Sequence, residues 1–186
     1  MTVKGTFDGG NVGYERGKGA CSRQKEGSDK DAAFLLENGA TLRNVVIGAN
    51  QAEGVHCEGS CNTYNVWFED VCEDAVTLRQ TSCSTNIVGG SAKNANDKVV
   101  QHNGGGVVNI DSYCVQDFGK LYRVCVNRKT QYRDREERQA ACWDQLELWG
   151  RSDDQECVSD EREVDVRYVP GQQQRQGANE ADVKQV

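Results

Sequence analysis

Three acidic residues recur at a spacing that would bring their carboxylates together. Glu53 opens the run Glu53-Gly54-Val55, and Asp74, preceded by Glu73, opens a similar run 21 residues later. On neighbouring strands about 4.8 Å apart, such carboxylates repel each other unless a cation lies between them. Hard oxygen ligands of this kind favour Ca²⁺ over a transition metal. The pattern therefore indicates a calcium site, and a solvated acidic surface is the alternative that it leaves open.

Basic residues follow the acids along the same column of the sequence. Asp97-Lys98 comes next, and Lys120 and Arg123 come one interval later. Lys and Arg are mostly exposed, and there they usually serve only solubility. Three bases beside three acids on one face are a less ordinary arrangement. This mixture of charges suits the binding of a polyanion.

These residues belong to repeats of about 20 residues. The pairs that begin at Asn44, Asn65, Asn86 and Asn109 are 21, 21 and 23 residues apart. A fixed period of short apolar runs is typical of a solenoid, in which each coil buries its face against its neighbours. The sequence therefore predicts an all-β chain folded as a single-stranded right-handed parallel β-helix. Runs rich in Val, Ile, Thr and aromatics predict its strands: Thr41–Ile47, Asn62–Phe68, 75–78, 98–101 and 107–114.

The composition limits the classes of protein. The chain has 186 residues, which favours one domain, and no run of apolar residues is long enough to span a membrane. Nine cysteines suit an oxidising compartment, and hence a secreted protein. The segment Met1-Thr2-Val3-Lys4-Gly5 lacks the apolar core of a signal peptide, so we expect a mature form or a fragment. No basic stripe with interleaved aromatics indicates nucleic-acid binding.

The chain changes character near residue 133. Residues 134–186 contain 14 acidic and 7 basic residues, whereas residues 1–133 contain 15 of each, so the net charge of −7 belongs to the tail. The tail shows no sustained period of 2 or 3.6. We therefore predict a β-helix over residues 1–132 and an irregular or disordered acidic tail over residues 133–186.

Several other residues are interpreted as structural. His56 and His102 are expected to be packed and hydrogen-bonded rather than catalytic. We expect the aromatic residues Trp67, Phe68 and Tyr122 to stack in the core. Glu69 and Asp70 could support the acidic cluster, but the repeat does not place them clearly.

The periodic part of the chain closely resembles the family 3 polysaccharide lyases, the secreted calcium-dependent pectate lyases of microbes. The resemblance covers about 70% of the chain and rests on several motifs at matching spacing. The matching segments are TFDGG (6–10), ENGATLRNVVIG (37–48), EGVHC (53–57), NVWFEDVCEDAVTL (65–78), DKVVQHNG (97–104) and DFGKLYR (117–123).

The resemblance implies a function and a set of site residues. It implies Ca²⁺ at Glu53, Glu73 and Asp74, catalysis by Lys98 and Arg123, and substrate binding by Arg79, Lys120 and, as a weaker match, Glu26. The substrate would be polygalacturonate or pectin, cleaved by β-elimination to 4,5-unsaturated oligogalacturonides. Lys98 is the first candidate for the base, because neighbouring cations and partial burial would lower the pKa of its ammonium group. Arg123 would neutralise the developing negative charge. We expect a monomer that binds neither nucleic acid nor membranes.

The chain departs from the family pattern in three ways. Glu53 replaces the usual Asp, and Arg128 stands where a cysteine is common, so residues 1–133 keep seven cysteines and one unpaired thiol is expected. A one-base shift of the reading frame in the tail permits Ile-Asn-Ser-Asn-Tyr-Gly and Glu-Pro-Thr-Lys, which are typical of the family. We therefore interpret the tail as the product of a frameshift near Arg133, and sequencing the transcript tests this. An alternative is an inactive lyase-derived or pectin-binding solenoid that has lost its last coils.

Overall fold

The structure is a computed structural model that describes residues 1–21, 25–124, 164–167 and 183–186. These residues form twelve β-strands and one short 3₁₀ turn, Asp29–Asp31. The strands are β1 (Thr2–Val3), β2 (Thr6–Glu15), β3 (Ala32–Leu36), β4 (Thr41–Ile47), β5 (Glu53–Cys57), β6 (Asn62–Phe68), β7 (Asp74–Leu78), β8 (Ser84–His102), β9 (Val107–Asp111), β10 (Cys114–Val124), β11 (Val164–Arg167) and β12 (Val183–Gln185).

The strands stack as coils of a parallel β-solenoid, as the sequence predicts. Every strand pair in the described ranges is parallel. One face, here called the charged face, consists of β1, β3, β5, β7 and the C-terminal parts of β8 and β10. A second, the amide face, consists of the N-terminal parts of β2, β4, β6 and β8, followed by β9 and β11.

The core runs along the inside of the coils. Fully buried side chains include Phe34, Leu42, Phe68 and Ile87, which come from successive coils. Asn44 and Asn65 turn the chain at one corner with φ values of 54° and 55°. Asparagine tolerates this left-handed conformation better than most residues, since its side chain can hydrogen-bond locally. Apolar strands and asparagine corners together therefore close each coil around the core.

The register between the third and fourth coils, which joins β6 and β7 to β8, differs from the register predicted by the sequence repeat. Asn86 pairs with Asn62, 24 residues away, and Asp74 pairs with Lys98. Seven residues separate Leu78 from Asn86, whereas four separate Cys57 from Asn62 at the equivalent turn. The longer turn shifts the later motifs, so the predicted alignment of Asn86 with Asn65 and of Asp97 with Asp74 is wrong. Because strand side chains alternate, this shift places Lys98 rather than Asp97 in the acidic column.

Disulfides fasten the coils. Cys21 is bonded to Cys72 and Cys57 to Cys61, and Cys114 is also disulfide-bonded. Among the described cysteines, Cys83 carries a free, exposed thiol. These disulfides are consistent with an oxidising compartment.

Parts of the tail are described, and they are strands. β11 pairs with β9, and β12 pairs with β2, the strand of the first coil. Both β9 and β2 would otherwise present unpaired backbone groups, which is the property that attracts another strand. These two short segments of the tail are regular, and the prediction for the tail as a whole stays a prediction. The rest of the predicted tail and the suspected frameshift near Arg133 lie outside the described residues.

The described part of the chain has no helix that is both long enough and apolar enough to cross a membrane.

Candidate functional site

The three acidic residues meet at one edge of the charged face. Glu53 and Asp74 begin β5 and β7, and the pairing of Val55 with Val76 places them on adjacent coils. One carboxylate oxygen from each of Glu53, Glu73 and Asp74 lies within 4.8 Å of the others. All three residues are buried, with 3%, 8% and 4% of their surface exposed. The structure thus forms the cluster that the sequence predicts.

The cluster carries an electrostatic cost that a cation would remove. Burial and the negative charge of Glu73 together raise the pKa of Asp74 to about 9. The Oδ1 atom of Asp74 is buried, and its charged neighbour is the ammonium of Lys98, 3.2 Å away. Three buried carboxylates whose oxygens lie this close together form a donor set suited to a hard divalent cation such as Ca²⁺. The residues therefore fit the metal that the family resemblance implies.

Lys98 reaches into the acidic cluster. Its Nζ atom lies 3.1 Å from Glu73 Oε1, 3.2 Å from Asp74 Oδ1 and 2.6 Å from Asp97 Oδ2. Burial alone would lower the pKa of Lys98, but these carboxylates raise it above its ordinary value. The pKa shift predicted from neighbouring cations is therefore wrong in direction, because the nearest charged groups are acids.

The two other basic residues meet at Asp97. Lys120, which pairs in register with Lys98, has its Nζ atom 3.8 Å from Asp97 Oδ1. A guanidinium nitrogen of Arg123 lies 3.7 Å from Asp97 Oδ2. Burial opposes ionisation of Asp97, but the hydrogen bond from Lys98 and the charges of all three bases hold its pKa below the usual range. Asp97 thus links Lys98, Lys120 and Arg123, a role that the sequence pattern did not reveal.

A second polar network lies on the other side of Glu53. The two ring nitrogens of His56 lie 3.2 Å from Glu53 Oε2 and 3.0 Å from Asp29 Oδ1. Arg79 donates to Asp29 and, at 2.8 Å, to Glu58 Oε1. Burial lowers the pKa of His56, but hydrogen bonds to Glu53 and Asp29 outweigh it and raise the pKa. Sequence reasoning missed Asp29, which lies in a different segment and outside any repeat.

The remaining candidates lie apart from this centre. Glu26 is exposed, and only its neighbour Gly27 contacts the site, through an N–H that donates to Glu53 Oε1. Glu69 has Lys93 and Glu15 as its charged neighbours, so it does not support the acidic cluster. Asp70 is exposed.

The histidines and the aromatic residues are packed and hydrogen-bonded. His102 is buried and lies 2.6 Å from the hydroxyl of Tyr122. Phe68 is buried in the core, whereas Trp67 is half-buried and donates its N–H to Asn65. The structural interpretation of both histidines and of Phe68 is confirmed.

The sequence of this chain is similar to those of known proteins. The sequence model of the family "Pectate lyase" matches residues 1–141. "Probable pectate lyase E" of Neosartorya fischeri is 59% identical over 133 residues, which are 71% of this chain and 52% of that protein. "Pectate lyase H" of Emericella nidulans is 58% identical over 127 residues, 68% of this chain and 48% of that protein. The chain therefore spans about half the length of these relatives.

A solved structure has a similar fold. The catalytic domain of pectate lyase PelI from Erwinia chrysanthemi superposes with a TM-score of 0.52 and 33% sequence identity. The match covers 67% of this chain and 59% of that domain.

Proposed function

Since the chain belongs to the pectate lyase family, we propose that it cleaves polygalacturonate by calcium-dependent β-elimination and releases 4,5-unsaturated oligogalacturonides. The observation that carries this proposal is the charged face itself. Three buried acids lie together, one of them, Asp74, lies in register with Lys98, and Lys98 lies in register with Lys120. A polyuronate carries one carboxylate per sugar, so a row of acids and bases on adjacent coils matches its repeating charge.

Glu53, Glu73 and Asp74 would hold the calcium ion. When bound, Ca²⁺ would draw electrons from the carboxylate of the uronate and acidify the proton on its C5 atom. The close approach of their buried carboxylate oxygens, all within 4.8 Å of one another, supports this assignment, because such groups repel each other unless a cation lies between them.

In its neutral form Lys98 would take the C5 proton. The electron pair of the C5–H bond would then form the C4–C5 double bond as the C4–O4 bond breaks, and the departing O4 would take up a proton from solvent. Its Nζ atom lies beside two of the three proposed ligands, so it would be close to a uronate bound there. In the loaded site Glu73 and Asp74 would face a cation, and the attraction that holds the proton on Lys98 would weaken. Arg123 would balance the negative charge that develops on the substrate.

Basic side chains further along the face would hold the polymer. Lys120 lies next to Lys98, and Arg79 contacts Asp29, which in turn contacts His56 beside Glu53. Both are about one-third exposed, so each can offer donors to a uronate carboxylate. Glu26 is the weakest member of the proposed binding set. We propose further that the protein is secreted and acts as a monomer on pectin.

A non-catalytic solenoid that binds pectin is the second candidate. It is favoured by one observation, that the match to the family ends at residue 141 whereas the chain continues to residue 186.

An absorbance assay for unsaturated uronate distinguishes the two. We expect turnover of polygalacturonate by the full chain in calcium, none in a chelator, and a loss of about 100-fold or more in Lys98→Ala. Lys93→Ala is the matched control, because Lys93 lies on the same strand but is not part of the charged cluster. Substrate binding without any turnover would favour the second candidate, and normal turnover by Lys98→Ala would transfer the role of base to Arg123.

A further inference from the structure

Glu53 is held differently from the other two acids of the cluster. Its Oε1 atom accepts a hydrogen bond of 2.8 Å from the backbone N–H of Gly27, and its Oε2 atom lies 3.2 Å from His56 Nε2. In contrast, Glu73 and Asp74 share the ammonium of Lys98. The position of Glu53 is therefore determined by groups outside the acidic cluster.

His56 is in turn held by Asp29. The imidazole is buried, with 2% of its surface exposed, and its Nδ1 atom lies 3.0 Å from Asp29 Oδ1. The ring thus bridges two carboxylates that come from different segments of the chain. Such a bridge restricts the orientation of the ring and, through it, the rotamer of Glu53.

Asp29 also restrains a residue of the proposed substrate-binding set. Arg79 donates to the same Oδ1 atom of Asp29, and its second acidic partner is Glu58. Asp29 and Glu58 therefore share Arg79 as a partner, and a guanidinium nitrogen of Arg79 lies 3.2 Å from His56 Nδ1. Of the two carboxylates, it is Asp29 that contacts His56. This difference offers a natural control.

We propose that His56 and Asp29 are positioning residues that preset Glu53 as a calcium ligand, with Asp29 serving at the same time to hold Arg79. This inference rests on the calcium site proposed above. Neither residue would touch the cation or the reacting atoms. Their effect would be to keep one oxygen of Glu53 aimed at the cluster, so that little ordering is needed when the ion binds.

Calcium titration of the full chain tests this role. Isothermal titration calorimetry with calcium chloride would measure Kd for the wild type, His56→Gln, Asp29→Asn and Glu58→Gln. We expect Asp29→Asn and His56→Gln to weaken calcium binding about 10-fold or more. Glu58→Gln, which loses the same charge as Asp29→Asn and the same kind of bond to Arg79, should stay within about 2-fold of the wild type.

The calcium-free melting temperature separates positioning from general instability. Asp29→Asn should melt close to Glu58→Gln in a chelator, and Asp29→Glu, which keeps the carboxylate, should recover part of the affinity. If His56→Gln does not fold, Asp29→Asn alone decides. Equal calcium affinity in Asp29→Asn and the wild type would overturn the positioning role, whereas absence of binding by the wild type would overturn the calcium site itself and this role with it.

Discussion

Two columns of stacked polar side chains run along this solenoid, and their polar groups are satisfied in different ways. On the amide face, Asn86 donates to Asn62 at 2.7 Å and accepts from Asn109 at 2.8 Å. On the charged face, Glu53 and Asp74 lie at equivalent places on adjacent coils. An amide both donates and accepts, so a column of asparagines satisfies itself. Ionised carboxylates only accept, so the acidic column requires a cation.

The acids of the charged face therefore need a positive partner, whereas the asparagines of the amide face do not. In the structure the ammonium of Lys98 partly neutralises Glu73 and Asp74. A divalent ion would neutralise the acids more fully, since each would then share a doubly charged partner. Substitutions that give one column the chemistry of the other should therefore have effects of unequal size.

Replacement of an acid by an amide should have the largest effect. In Asp74→Asn the cluster loses one of three anionic oxygens, and we expect calcium affinity to fall about 100-fold or more, together with turnover. Calorimetry and the absorbance assay measure the two effects. Glu69→Gln is the control, because Glu69 is half-buried but lies outside the cluster. Equal losses in the two variants would contradict the special role of the column.

Removal of calcium should lower stability. A ligand at 100 times its Kd stabilises the folded state by about 2.7 kcal/mol, which corresponds to a shift in melting temperature of about 5–10 °C for a chain of this size. We expect calorimetric scans in calcium and in a chelator to differ by about this amount. The difference should vanish in Asp74→Asn. A shift that persists in that variant would place the stabilising ion elsewhere.

The reverse substitution, which places an acid in the column of amides, should have a smaller effect. Asn86→Asp removes the donor to Asn62 and leaves that oxygen without its partner, so we expect a loss of about 1–2 kcal/mol in the free energy of unfolding. Denaturant titration measures it. Asn96→Asp, an exposed position on the same strand, makes the same chemical change and should be nearly neutral. Calcium affinity should be unchanged in Asn86→Asp, and a large change would weaken the distinction between the columns.

The smallest effect is expected at the exposed end of the charged face. Lys120→Ala removes a half-buried ammonium that lies 3.8 Å from Asp97, and solvent screens such a pair. We expect KM for polygalacturonate to rise a few-fold while kcat stays within about 2-fold. Steady-state kinetics measures both, and a selective loss of kcat would indicate that Lys120 takes part in the chemical step.

Local sequence patterns determined much of this protein. The strands Thr41–Ile47 and Asn62–Phe68 have the predicted bounds, because they are short runs rich in Thr, Val, Ile and aromatic residues, of a length typical of a strand. The predicted run 107–114 is divided at Ser112, whose φ of 54° makes a corner. The acidic residues Glu53, Glu73 and Asp74 were recognisable because they recur near the starts of equivalent strands.

Only the tertiary structure decided which residues face each other across coils. Pairing depends on the length of every turn between strands, and the longer turn after Leu78 brings Lys98, not Asp97, opposite Asp74. For the same reason the pKa shift of Lys98 could not be foreseen, since its direction depends on whether acids or bases are nearest. The contacts of Asp29 with His56 and Arg79 join segments 27 and 50 residues apart, and no local pattern encodes them. The sequence by itself thus determined the strands and the kinds of charged group, while the closing of the coils determined their partners.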